Sequence, residues 1–381
     1  MSESERSRIG VNLLWMVPGV VGGSEDATVA LLRALGDEVA DDLEIVLFGL
    51  SSLPDAHPDL VERFETVIAP LDGNSKVRRV IGESRWLPKA AKAAGIALMH
   101  HAGGTLPFGY RRPSTICVHD IQPLDLPQNF HPAKRVYLRS VLRPSVRRAR
   151  LTSVPSEFTR QRVLERLGAE PDRVVVVPWS APPAPPAPVV PAPIDGPYIL
   201  YPAITYHHKD HATLLEAFAD VAPLHPTLRL VLIGGEADTE KAVNERISQP
   251  DLAGRVERLG RVDAATRDAL TAGALGVVLP SRYEGFGLPV LEAMVAGVPV
   301  IGADGTALAE VLPPEVPHPP IGHVAGFTTV IRALVEQPAL RDRWITAGQA
   351  AAARFTPERS ASAMLGVWRQ ALAADTEPPP S

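Results

Sequence analysis

The chain has 381 residues, 45% of them hydrophobic, a net charge of −5 at pH 7 and a single cysteine. That length exceeds what one core usually supports, so two domains are expected. The charge balance offers no broad basic field for nucleic acid, and the lone Cys117 excludes an intramolecular disulfide and fits a reducing compartment.

Arg6 and Arg8 precede an apolar run from Ile9 to Val21, but Asn12, Pro18 and Gly19 interrupt it and no small-residue cleavage site follows. The run therefore reads as a strand entering a loop, not a signal peptide. No window reaches the ~18 uninterrupted apolar residues of a membrane span. A soluble, cytoplasmic protein is the expectation.

Strands are predicted at 9–16, 43–48, 66–69, 96–100, 114–118, 151–154 and 173–177, most of them continuous apolar runs such as "RVVVVP". Such runs belong to strands covered on both faces, hence to a parallel sheet between helices. "SEDATVALLRALGDEV" is a helix that opens on Ser24 as a cap, with two acids in its first turn. "PWSAPPAPPAPVVPAPIDGP", 178–197, can neither join a ladder nor sit inside a helix, and is the clearest domain boundary. Beyond it the alternation restarts. Strands are predicted at 197–204, 228–233, 256–259, 275–280 and 298–302, with helices near 211–222, 238–248, 263–272 and 288–296. Three more helices, 327–336, 339–354 and 357–373, close the chain, the last with Thr356 and Pro357 as cap and first residue.

The predicted organisation is α/β: a Rossmann-like domain over 1–180, a proline-rich linker over 181–197 and a second Rossmann-like domain over 198–356. The helix 357–373 is expected to pack back toward the first domain, ahead of a disordered tail, 374–381. Ligands of such sheets bind beyond the carboxyl ends of the strands.

"SRYEGFGLPVLEAMVAGVPVI", 281–301, lies at such an end. Glu284 and Glu292 stand in an otherwise almost uncharged stretch. Gly285 and Gly287 let backbone amides approach a ligand, and the helix starting near Leu288 and Pro289 makes an anion site behind them. Glu292, one turn into that helix, faces either solvent or a polar partner. The stretch resembles the signature of the retaining glycosyltransferases of family 4, which have the GT-B fold. The matching form is E-G-F-G-L-P-x-x-E-A-M followed by G-x-P-V-I, and every one of those residues is present. The resemblance extends over nearly the whole chain. It implies two Rossmann-like doubly wound domains facing each other across a cleft, with the donor on the second and the acceptor on the first. It implies that Glu292 binds the donor ribose, that Glu284 lies at the donor sugar with Phe286 and Gly287, and that Leu288 lies near the nucleoside.

In "YPAITYHHKDH", Lys209 precedes a helix; its plain alternative is a solvated loop lysine. The resemblance makes it the ligand of the donor diphosphate. Many members carry an arginine six residues earlier, where this chain has Ala203, and Arg282 is a candidate replacement. His207 and His211 share a face if helical, but no acid or cysteine nearby in sequence completes a metal set. By the same resemblance Gly22 and Gly23 border the donor phosphates and acceptor, and His119 contacts the transferred sugar; His101 is a further candidate for acceptor contact. The segment 131–150 holds seven basic residues and no acid, with Arg135, Arg139, Arg143 and Arg147 at every fourth position. Lys76, Arg78, Arg79, Arg85, Lys89 and Lys92 add to it if they face the same way. A solvated helix face competes there with peripheral contact to anionic lipid heads.

The resemblance thus implies transfer of a hexose from a nucleotide-diphosphate sugar, GDP-mannose being the first choice, to a hydroxyl with retention. No metal or other cofactor is required, and domain closure over the proline-rich hinge excludes water. A sugar-nucleotide epimerase or phosphorylase on the same fold, a silent nucleotide-sugar-binding protein and a nicotinamide dehydrogenase are the competitors. Neither domain has a clean G-x-G-x-x-G with its downstream acid, which places the last of these lowest.

Overall fold

The computed structural model describes residues 6–18, 22–37, 42–130, 132–181 and 192–374. Most of the proline-rich segment (182–191) and the tail from 375 lie outside the described residues. The chain divides into two compact units, one of residues 1–180 with 356–381 and one of residues 181–355. The helices used below are α1 (Gly23–Asp37), α2 (Lys76–Arg85), α3 (Pro132–Arg148), α4 (His211–Val221), α5 (Leu288–Val295), α6 (Pro338–Ala352) and α7 (Pro357–Ala373).

Among the described residues, the first unit has strands β1 (Ser7–Asn12), β2 (Leu43–Gly49), β3 (Glu65–Ile68), β4 (Leu98–His101), β5 (Ser114–Cys117), β6 (Leu151–Val154) and β7 (Val174–Val176). They form one sheet in the order β3-β2-β1-β4-β5-β6-β7, each neighbouring pair parallel. β1 stops at Asn12, earlier than its apolar run predicts, because the Asn12 side-chain oxygen accepts the Leu14 amide at 3.1 Å and turns the chain. α1 begins at Gly23, so Ser24 lies inside its first turn instead of capping it, and the Ser24 carbonyl accepts from Thr28 Oγ1 at 2.7 Å.

The core between sheet and helices joins β1 and β2 to Val29, Leu32 and Leu35 of α1 and to Met364, Leu365 and Trp368 of α7. α7 starts at Thr356, whose hydroxyl accepts from the Arg359 amide at 3.3 Å, and continues through Pro357. Ser360 Oγ donates to the Pro178 carbonyl at 2.6 Å, and the Arg369 fork grips Asp42 at 2.8 and 2.9 Å. The last helix of the chain is thus an integral part of the first unit's core.

The second unit holds β8 (Tyr198–Pro202), β9 (Arg229–Ile233), β10 (Val256–Gly260), β11 (Gly276–Leu279) and β12 (Val300–Gly302), again all parallel, in the order β10-β9-β8-β11-β12. α5 packs on α6, with buried Met294 against Gly348. In each sheet the strand order reverses once, between β1 and β4 and between β8 and β11. At a reversal the two outgoing loops diverge to opposite faces and leave a crevice. Short helices at Leu53–Ala56, Pro58–Arg63 and Leu308–Val311 have no counterpart among the predicted elements, since fewer than two turns carry no readable period.

Trp368 is 1% exposed. Trp368→Ala is expected to lower the stability of the first unit by about 3–5 kcal/mol, read from denaturant unfolding together with hydrogen exchange along α1. A loss below about 1 kcal/mol would mean that α7 is not part of that core.

Candidate functional site

β8 and β11 lie side by side, Ile199 opposite Gly276 and Leu200 opposite Val277, so their outgoing loops emerge together. The β8 loop makes a tight helical turn over His207–Lys209 and then sets Asp210 at φ 53°, the one non-glycine residue with positive φ among the described residues. The Tyr201 hydroxyl donates to the Lys209 carbonyl and lies 3.3 Å from Ser281 Oγ. The Arg282 amide donates to the His208 carbonyl at 2.7 Å. These bonds tie the two loops into one unit.

They also place Lys209 Nζ 2.7 Å from Glu284 Oε1, where it donates a hydrogen bond. The two side chains are 21% and 11% exposed. Burial pushes the Glu284 carboxyl up. The charge and hydrogen bond of Lys209, with Ser281 and His208 assisting, outweigh it and hold the group below its ordinary 4.5. Glu284 is therefore a carboxylate at neutral pH. His208 and His211 are held down to about 4, mainly by burial, with Lys209 and Arg258 respectively as the next cause, so both are neutral.

His207 is exposed while His211 is buried in α4; the left-handed Asp210 breaks the helix between them, and they do not share a face. Arg282 Nε lies 2.9 Å from Asp210 Oδ2, whose carboxylate also accepts from Thr213 Oγ1 at 2.8 Å. Arg282 is thus ion-paired to Asp210, as Lys209 is to Glu284. Ala203 is buried, and Gly234 presses so close to it that a Cβ there would fall 2.4 Å from the Ala203 carbonyl oxygen. Gly234 has φ 125°, which favours glycine.

Gly287 caps α5 at φ 108°, and a Cβ there would fall 2.5 Å from Leu308 Cδ2. Gly285 is half-buried in the preceding loop. The Phe286 ring turns inward, edge-on to Phe355 at 5.6 Å, and Leu288 is buried. Within α5, Val290, Leu291, Ala293 and Met294 are buried, whereas Pro289, Glu292 and Val295 are half-buried. That three-residue spacing puts Glu292 on one open face with the start of the helix. Lys209, Glu284, Gly285, Gly287 and Glu292 all belong to the loops and helix at the β8/β11 reversal.

In the first unit Gly22, at φ 79°, and Gly23 lead from the β1 loop into α1. His119, just past β5, donates from Nε2 to the Ala102 carbonyl at 2.8 Å, has Cys117 Sγ 3.6 Å from Nδ1, and sits between the rings of Trp15 and Trp179. Burial brings it to about 4, so it is neutral with both ring nitrogens engaged inside its own unit. His101, at the end of β4, is fully buried and brought to about 3, with Nδ1 accepting from Asn12 Nδ2 at 3.2 Å.

Sequence reasoning missed one feature. A cavity of about 380 Å³ opens at the β1/β4 reversal, lined among others by Asn12, Trp15, Lys76, Arg79, Glu83 and Tyr137. These come from β1 and its loop, α2 and α3, and no local motif links them. Lys76 and Arg79 entered the sequence reading only as part of a basic patch. In α3 the arginines 139, 143 and 147 are exposed, as are Val136 and Tyr137. Among the described residues, no helix is long and apolar enough to cross a membrane.

Two family models match the chain: "Glycosyltransferase Family 4" over residues 21–180 and "Glycosyl transferases group 1" over residues 188–351. O-antigen chain mannosyltransferase B of Escherichia coli is 31% identical over 228 residues, 56% of this chain and 59% of its own. Phosphatidyl-myo-inositol mannosyltransferase of Mycobacterium tuberculosis is 32% identical over 168 residues, 42% of this chain and 43% of its own. The chain spans about half the length of such curated relatives. The structure of HepE from Anabaena, in complex with UDP and glucose, superposes with a TM-score of 0.71 at 18% identity, covering 96% of this chain and 100% of that one. At that identity the likeness speaks for the fold, GT-B.

Lys209→Met would leave the Glu284 carboxylate buried without its partner. The expected cost at neutral pH is about 3 kcal/mol, the low end for a broken buried pair because Lys209 keeps some exposure. Without the ammonium, burial raises the carboxyl of Glu284. Relative to wild type, the loss should then shrink as pH falls toward and below 4.5 and the group protonates. Wild type itself loses the stability of this pair in the same direction, since its depressed group is protonated last. Urea unfolding of both proteins from about pH 7 down to about pH 3, which spans the ordinary carboxylate value and runs below it, reads this directly; a loss independent of pH would remove the ion pair from the account.

Proposed function

Since the chain belongs to the family 4 glycosyltransferases, of GT-B fold, we propose that it moves a hexose from a nucleotide-diphosphate sugar to an acceptor hydroxyl with retention of anomeric configuration. The observation that carries this reading is the 2.7 Å Lys209–Glu284 pair beside the start of α5, at the β8/β11 reversal. A diphosphate needs positive charge and amide donors. Lys209 supplies the first, and the glycine-flanked start of α5 supplies the second. One ion pair at ~4 Å and an effective dielectric near 20 contributes at most ~4 kcal/mol, and half of that is more than tenfold in affinity. Glu284, ionised and fixed, accepts hydroxyls of the donor sugar, and Glu292 accepts the ribose diol. The acceptor binds the first unit, near Gly22 and Gly23, which also border the donor phosphates, and His119 contacts the transferred sugar.

In this reading the bond from the anomeric carbon to the diphosphate breaks as the acceptor oxygen bonds on the same face. The leaving diphosphate takes the acceptor's proton. Lys209 and the loop amides stabilise the charge that grows on the leaving group, so no metal ion is needed. The mannosyltransferase relatives favour mannose as the sugar, with GDP-mannose as donor, and the exposed arginines of α3 suit contact with anionic lipid heads.

A thermal-shift panel of nucleotide sugars tests the donor half without an acceptor, because a ligand bound only by the folded chain raises the midpoint. One donor class is expected to stabilise the protein, GDP-mannose first. Glu292→Ala should weaken that donor roughly 10–100-fold through loss of hydrogen bonds to a charged group, about 1.5–3 kcal/mol; wild-type affinity in the variant would remove Glu292 from the ribose. Proton NMR of the product should show the donor's anomeric configuration, with turnover unchanged by EDTA. Inversion, or loss of turnover restored by a divalent ion, would overturn the mechanism.

A further inference from the structure

We propose that Arg258, Glu240 and Thr205 are positioning residues for the transfer: they fix the loop that carries Lys209 to the diphosphate, and act through it. This rests on the reading that Lys209 binds the donor diphosphate. The three residues come from the ends of three strands. Thr205 lies in the loop after β8, Glu240 opens the helix Glu240–Ile247 after β9, and Arg258 lies on β10. Thr205 is wholly buried, and each of its polar groups is bonded to the segment after β9. Its amide donates to the Gly235 carbonyl at 3.2 Å, and its carbonyl accepts from the Thr239 amide at 2.9 Å and from Thr239 Oγ1 at 2.7 Å. Its hydroxyl accepts from the Ala237 amide at 2.8 Å and donates to Glu240 Oε2 at 2.7 Å. Arg258 Nη2 closes the set, donating to the same Glu240 oxygen at 3.0 Å and to the Gly235 carbonyl at 3.3 Å. Lys209 follows through a tight turn, in which its amide donates to the Tyr206 carbonyl at 2.9 Å. Over so short a turn a displaced Thr205 displaces Lys209, and small misplacements of a group that acts on the reacting bond are costly in rate.

The Arg258–Glu240 pair suits positioning better than stability. Arg258 stands at a β-bulge: it pairs with Leu232 and Gly260 pairs with Ile233, which leaves Leu259 as an extra residue, and Gly260 takes φ 70°. Bulges re-aim side chains and gather beside working sites. The Arg258 and Glu240 side chains are 10% and 16% exposed, yet Arg258 Nε and Nη1 are buried with no partner among the described residues. A pair taken out of water with donors unmatched contributes little to stability, and apolar residues of similar volume often serve as well or better. What the charged pair alone supplies is direction, because it fixes the carboxylate that receives the Thr205 hydroxyl. Burial pushes the Glu240 carboxyl up, but Arg258, Thr205 and Asn244 hold it below its ordinary 4.5. It is therefore a carboxylate at neutral pH and accepts from all three.

Replacing the pair by apolar residues separates stability from binding. Glu240→Met with Arg258→Met is expected to keep the wild-type urea midpoint or exceed it. GDP, UDP, guanosine and uridine are then titrated calorimetrically into the full chain. Wild type is expected to prefer one nucleoside diphosphate over its nucleoside. The double variant should lose about tenfold of that preference, with nucleoside affinity unchanged. A role in stability alone would not move that ratio in a variant as stable as wild type. Hydrogen exchange should rise about tenfold or more over 203–210 and stay at the wild-type level along β8 and β9. Thr205→Val removes the hydroxyl at nearly constant volume and should lower the ratio likewise, whereas Thr205→Ser keeps both hydroxyl and ratio. These two decide the matter if the double variant folds poorly. The inference is overturned if the double variant and Thr205→Val keep the wild-type ratio and loop protection, or if nucleoside and diphosphate weaken equally. A wild type that prefers neither diphosphate would instead sink the donor reading, and loop exchange would still decide whether these residues hold the loop.

Discussion

An ammonium and a carboxylate 2.7 Å apart, both largely out of water, hold the second unit's two working loops together. Taking such charges out of water is costly and is offset only by good geometry and further hydrogen bonds. The chain supplies these locally. Ser281 hydrogen-bonds Glu284, the Tyr201 hydroxyl fixes the Lys209 backbone, and the adjacent His208 is neutral and adds no repulsion. The outcome is a carboxylate that stays ionised and a lysine aimed at one place beside a helix start. An incoming anion finds its cation already oriented, so little side-chain entropy is lost on binding.

Sheet topology decides where that pair can exist. Parallel strands covered by helices leave their polar ends as the only open ground, and the crevice lies where the strand order turns back. In the second unit the turning point holds Lys209, Glu284 and Glu292. In the first it holds Asn12, Glu83 and the cavity between α2 and α3. α7 belongs to the first unit although it ends the chain, so residues at both extremes of the sequence build that unit's core.

Much of this was legible in the residues. Short apolar runs, most of them continuous, marked the twelve strands described, and the form E-G-F-G-L-P-x-x-E pointed to the β11 loop and α5. Local patterns carry such features because strand burial and helix starts are local physics. Other features required the fold. That Asn12 ends β1 by turning the chain, and that Asp210 pairs with Arg282, follow from contacts no run of residues announces. The cavity was invisible for the same reason. Its wall joins stretches around residues 12, 79, 103 and 137, and Arg79 looked like one more charge in a basic segment. Ser24 shows the opposite failure: a good capping residue lies in a helix that starts one residue earlier.

The account stands most directly on where a donor's diphosphate sits. A crystal structure of the chain with a nucleotide-diphosphate sugar measures it. Phosphate oxygens should lie within hydrogen-bond distance, about 3 Å, of Lys209 Nζ and of the amides leading into α5, with the ribose diol on Glu292. A diphosphate bound elsewhere, with the Lys209–Glu284 pair untouched and no ligand atom near either residue, would contradict it.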